Sequence, residues 1–195
     1  MKMRFVHVAA MVSLATAAVA ADAPRDVAAV SLNGKKVSIE YGRPALKGRT
    51  LDSLIAQLPP ERVWRAGVDQ VTTLTTETDL QIGGKKVKVG KYTLYVQAPE
   101  KGDWALLVNS DQGIPLIKLW DQAPSNLANA PWPHLEEGGY TNIASKEVAR
   151  ATMKPGSINP ASELFTITLS PAQQGATLKL AWGDRSWSLD VQAAQ

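Results

Sequence analysis

Arg43, Arg49 and Arg65 stand in one stretch of the chain with Tyr41 and Trp64. A guanidinium grips a carboxylate or phosphate at two points, and an indole offers a flat face to a ring or a cation. Gathered at one spot, these five residues predict a binding site for an acidic ligand, to which Trp132 and Tyr140 from a later loop can add aromatic surface. The same residue types also have structural uses. Arginines pair with nearby acids, here Glu40, Asp52 or Asp69, and a tryptophan fills core.

A second constellation suits hydrolysis. Glu136 and Glu137 lie beside Gly138-Gly139, between Trp132 and Tyr140. A glycoside hydrolase needs two carboxyls about 5 to 9.5 Å apart. His134 is the one histidine outside the first twenty residues and so the one candidate imidazole base. A serine hydrolase also needs an orienting carboxylate and a strained serine turn, and no Gly-x-Ser-x-Gly is present. One histidine outside the first twenty residues and no cysteine exclude zinc sites built on several such ligands there. No Asp-x-Asp-x-Asp-Gly calcium loop occurs, and Gly83-Gly84 sits in a hairpin rather than before a helix, where glycines cradle phosphate. The expectation is a protein that binds without catalysing, with no metal and no cofactor. Its partner is an acidic small molecule, glycan or peptide. A carboxylate-dependent hydrolase of envelope glycans is the alternative, and a structural subunit pairing through a sheet edge is a third reading.

These residues need a scaffold, and composition bounds it. Lys2 and Arg4 precede an apolar run from Val6 to Ala18, and Ala18-Val19-Ala20 is a small-x-small cleavage site. Residues 1–20 are predicted to be a secretory signal peptide, which makes the protein exported, periplasmic or secreted. Residues 21–195 then form a single β-rich domain with no later span of about 18 apolar residues, the length a membrane helix needs. The formal net charge is +3, and Lys2 and Arg4 supply most of it. The remaining lysines are scattered, with no basic arm, so nucleic acid is not an expected partner. The absence of cysteine excludes disulfides, thiolate metal sites and a cysteine nucleophile.

Periodicity supplies the elements. Val27 to Leu32 and Val37 to Tyr41 read as strands joined by Asn33-Gly34, a strong hairpin signal. Gly83-Gly84 marks a second hairpin, and Leu32 to Ile39 resembles Ile82 to Val89. Thr50 can cap a helix, Leu51, Leu54, Ile55 and Leu58 form one apolar stripe, and Pro59-Pro60 stops it. Val71 to Thr78, Lys91 to Val96, Trp104 to Val108, Pro115 to Trp120, Leu164 to Leu169 and Thr177 to Trp182 read as further strands. Gly183 to Ser186 reads as a turn into a last strand, Trp187 to Val191. Two segments read as loops, a long Pro/Asn-rich one at 121–145 and a shorter one at 154–161. The fold predicted is mainly β, an antiparallel sandwich or partly closed barrel with one short helix.

The series Tyr41-x-Arg43-Pro44, Lys47-Gly48-Arg49, Val63-Trp64-Arg65-x-Gly67 and Gly90-x-Tyr92-x-Leu94 is similar to that of a bacterial secreted family, the domains of unknown function numbered 2911. The likeness runs from Val37 to Val108, touches the end strand with Trp182, and weakens from Gln112 to Asn159. It implies an envelope-directed, mainly β domain and assigns no reaction.

Overall fold

The computed structural model describes residues 24–135 and 139–194. The expected leader, residues 1–20, and the candidate carboxylates Glu136 and Glu137 lie outside them. Strands β1 (Arg25–Leu32) and β2 (Lys35–Gly42) form the first hairpin. Asn33 and Gly34 both take positive φ, 51° and 77°, the backbone that lets two residues join strands of native twist. Helix α1 (Leu51–Ile55) and the short β3 (Val63–Trp64) follow, then β4 (Thr73–Thr76). The pair β5 (Leu80–Ile82) and β6 (Lys85–Val87) turns through Gly83 and Gly84, again at positive φ, so the two similar lysine-bearing segments are two hairpins of one kind. Next come β7 (Gly90–Gln97), β8 (Ala105–Asn109), β9 (Ile114–Pro115), β10 (Pro131–Trp132), β11 (Glu147–Thr152), β12 (Lys154–Ala172) and β13 (Gly175–Ala193).

One large sheet runs β1-β2-β4-β7-β8-β11, with β3 beside β7, a second runs β12-β13-β5-β6, and β9 and β10 pair in a small third; the named pairings are antiparallel. The first two sheets stack as a sandwich. Alternation decides what lies between them. Val37, Ile39 and Tyr41 of β2, Leu94 and Val96 of β7, and Leu106 and Val108 of β8 meet Phe165, Ile167, Leu178, Leu180 and Trp182 of the second sheet. The intervening residues Tyr95 and Leu107 point to the other side, where Tyr140 and Ile143 cover them.

Several segments differ from expectation. Only Ile114–Pro115 pairs as a strand, and Leu116–Lys118 curls into a 3-10 turn, so Pro115 to Trp120 is not a strand. The 121–145 segment is not structureless. Its Pro131–Trp132 pairs with β9, and a 3-10 run from Gly139 to Lys146 lays Tyr140 and Ile143 on the sheet. Residues 154–161 are exposed β12 rather than a loop. Gly183 to Ser186 does not reverse the chain, because β13 continues through it for 19 residues. Leu178, Leu180 and Trp182 are even-numbered, and Trp187, Leu189 and Val191 are odd-numbered. In a plain strand the two sets face opposite ways. All are buried in one core because the pairing skips, Ser162 facing Gly183 and Ser157 facing Arg185. The extra residues of the skip lie on β12, and Gly183 opposite them takes φ of 63°, a conformation costly for other residues.

Candidate functional site

Of the five residues expected to form the site, Tyr41, Arg43 and Trp64 meet at Phe165, whereas Arg49 and Arg65 bond elsewhere. Tyr41 is fully buried. Its hydroxyl donates to the Ile167 carbonyl at 3.2 Å and accepts from the Ile167 N–H at 2.9 Å, tying the first sheet to β12. Arg43 is engaged at all three nitrogens: Nε donates to the Phe165 carbonyl, Nη2 to Thr166 Oγ1 at 2.9 Å, and Nη1 pairs with Asp26 at 3.3 Å. Arg49 folds back on its own loop and donates to the carbonyls of Leu46 and Ala45. Arg65 follows Trp64 on β3 and therefore faces away from the sandwich core, toward Tyr95 and Asp69. Burial pushes its guanidinium below its ordinary value, and its hydrogen bond is a long one, 3.4 Å to the Asp69 carbonyl. The three guanidiniums thus bond to different partners, and of the five residues Trp64 is the one that lines the cavity beside the helix.

Two glycines of these segments, Gly42 and Gly67, are explained by close approach. A Cβ on Gly42 would stand 2.3 Å from the Val68 carbonyl oxygen, and one on Gly67 would stand 2.7 Å from Thr72 Oγ1. Here the backbones of the two motif segments touch.

The later loop closes over the outer face of the first sheet. Tyr140 meets Tyr95 edge to face at 5.3 Å, and its hydroxyl donates to Glu147 at 2.8 Å. Arg150 binds Glu147 through two nitrogens at 2.9 and 2.8 Å, and Lys146 binds the buried Asp111 at 2.6 Å. Burial pushes the Tyr95 phenol up to about 12. Burial also raises Asp111, but Lys146, the Gly113 N–H and the neighbouring His134 outweigh it and hold the carboxyl below the usual range. Trp132, in β10, and the half-buried His134 belong to this loop layer. Tyr140 is a plug on the outer face and does not join Trp64.

The open cavity lies between α1 and the sandwich. Thr50 caps the helix by accepting from the Ser53 N–H, and Asp52 sits in the first turn. The helix is short because Pro59-Pro60 follows, but its stripe survives past its end. Leu51, Leu54, Ile55 and Leu58 wall one side of the cavity, and Trp64, Trp104, Trp182 and Ala98 form the rest. Trp64 stacks on Trp182 at 5.3 Å, with Phe165 edge-on to both. Trp104 stacks on Trp187 at 3.9 Å and 8°. These stacks leave the indoles held rigidly around a space of about 160 Å³. The Trp182 indole N–H is buried and has no partner among the described residues.

The family model described as a protein of unknown function, DUF2911, matches residues 23–191. The chain belongs to the DUF2911 family. No curated protein and no solved structure matches it. In this DUF2911 chain the residues that carry the family likeness mostly build the corner between β2 and β3, and Trp64 alone among the expected site residues also borders the cavity. Motif spacing passes over Arg62, Trp104 and the stacking partner Trp187. Alternation marks Trp187 as buried, and nothing in the sequence pairs it with Trp104. Among the described residues no group of three or more His, Asp or Glu is placed to hold a metal, and no helix is long and apolar enough to cross a membrane.

Proposed function

We propose that this protein is an exported, non-catalytic binding module for an acidic ligand or peptide met in the cell envelope, and that its ligand seat is the cavity between α1 and the tryptophans. The observation that carries this reading is the rigid indole wall around an open, apolar space. Ligand pockets are mostly apolar and preformed, with a few polar groups at the edge. Large aromatic side chains normally fill core. Here Trp64 and Trp104 keep partial exposure along the cavity. The leader-like start of the chain supports export, and the Arg62, Arg185, Asp52 and Glu100 side chains near the cavity supply the polar edge.

The test is a titration with toluene followed by backbone amide shifts. Saturable shifts confined to α1, β3 and the segment before β8 are expected. Leu54→Phe, which fills the space from the half-exposed helix side, should abolish them while leaving the fold intact. Absence of saturable shifts in the unaltered protein would remove the cavity as a ligand seat.

A further inference from the structure

We infer that the cavity takes the apolar end of a monocarboxylate, one ring or a chain of about five carbons, and that Arg62 holds its carboxylate. This rests on the reading of the cavity as a ligand seat. Size sets the apolar end: an apolar cavity of about 150 Å³ is enough for one benzene ring, and this one has about 160 Å³. A cation is a poor fit, because one whole wall is aliphatic and offers no π face in return for desolvation.

The mouth sets the other end. Ile55 and Trp104 continue from the cavity into an open depression lined also by Arg62, Arg185, Asp52 and Glu100. Leu58 continues into a second depression, where Arg62 again forms part of the lining. Arg62 therefore stands at both exits. Arg185 and Asp52 already hold each other through two bonds of 2.8 Å. Arg62 donates only its Nε, at 3.2 Å, to the carbonyl of Ala98, itself a cavity residue. Its two terminal nitrogens have no partner among the described residues, and they are not sealed from solvent. That leaves a planar fork, anchored beside the cavity and open for two-point capture of a carboxylate. Glu100 lines both depressions and Glu61 the second, but among the described residues neither makes an ion pair with Arg62. The Arg62 backbone sits at φ of 57°, a region non-glycine residues seldom adopt. It is held there from both sides, its N–H on the Pro59 carbonyl and its carbonyl on the Ala98 N–H, both at 2.8 Å. Such outliers concentrate at ligand clamps.

The experiment compares 3-phenylpropanoate with the neutral 3-phenylpropan-1-ol by calorimetry and amide shifts, using the folded protein and the variants Arg62→Gln, Arg62→Lys and Glu100→Gln. The acid should bind about tenfold more tightly than the alcohol, the factor that corresponds to 1.4 kcal/mol. Arg62→Gln should erase that gap without changing alcohol affinity, and Arg62→Lys should keep only part of it. Glu100→Gln should tighten the acid alone. N-acetyl-glycyl-phenylalanine, which carries the same ring and carboxylate at a peptide end, separates a peptide ligand from a free acid by which of the two binds more tightly. Equal affinities of acid and alcohol, or a gap that survives Arg62→Gln, would overturn the carboxylate assignment and leave the cavity standing as an apolar seat. No binding of either compound would remove both. Circular dichroism melts of each variant guard against a folding artefact.

Discussion

Arg185 of β13 clasps Asp52 of α1 with two parallel bonds of 2.8 Å. The two residues lie far apart in sequence, and the bond fixes a five-residue helix that has little stability of its own. Leu51 is the one buried residue of that helix, and it lies beside Gly183 of β13. The clasp thus adds to the apolar stripe in holding α1 over the cavity. Both partners are substantially exposed, and exposed ion pairs contribute about 0.2–1 kcal/mol. Arg185→Ala should lower the melting temperature by no more than about 4 °C, given about 2–4 °C per kcal/mol for a domain of this size. The larger effect should be local, as faster hydrogen exchange at the amides of Ala56 and Leu58. Unchanged exchange there would mean that the apolar stripe alone holds the helix.

Tyr41 separates scaffold from site. Its hydroxyl is both donor and acceptor to Ile167 inside the core. Tyr41→Phe leaves a buried N–H and carbonyl unsatisfied and should cost about 1–3 kcal/mol. Denaturant unfolding measures this, and toluene affinity should not move. A loss of affinity with no loss of stability would return Tyr41 to the ligand.

Acid should loosen the outer loop before the sandwich. Burial raises Glu147, but the Arg150 bonds and the Tyr140 hydroxyl outweigh it, so the folded carboxyl lies below its usual value, as does that of Asp111. A depressed folded pKa adds stability that is complete above the unfolded value of about 4 and disappears as pH falls through the folded one. Near-ultraviolet circular dichroism from Tyr95 and Tyr140 should therefore decay below about pH 4. In Asp111→Asn the decay should be shallower, with a lower plateau at neutral pH. A signal that is flat from pH 7 to pH 2 would contradict the assignment of these carboxylates.

Export makes a chemical prediction. If residues 1–20 are removed by a signal peptidase, the chain recovered from the periplasm or medium should begin at Ala21, which N-terminal sequencing reads directly. Recovery of the chain in the cytoplasm with Met1 or Lys2 at its start would refute the leader.

Much of the fold was legible because it depends on near neighbours. Asn33-Gly34 and Gly83-Gly84 both turn hairpins, since positive φ at two adjacent positions is a local property of those residues. The stripe of α1 was legible for the same reason. The parity change between Trp182 and Trp187 was visible as well, but a turn and a skip in the pairing explain it equally, and only the partner strand distinguishes them. The site was far less legible. Arg43 and Arg65 look alike in sequence, but one binds β12 and the other faces the outer layer.

Sequence alone settled the absence of cysteine chemistry, the β class, the two glycine hairpins and the apolar helix stripe, because composition and short-range periodicity contain that information. Tertiary structure decided which indoles surround a space, which guanidiniums are already engaged, and that Arg62 keeps open donors beside that space. Trp64, Trp104 and Trp182 come from three separate parts of the chain. Alternation says which side of a strand each occupies, but not which residue it faces across the core.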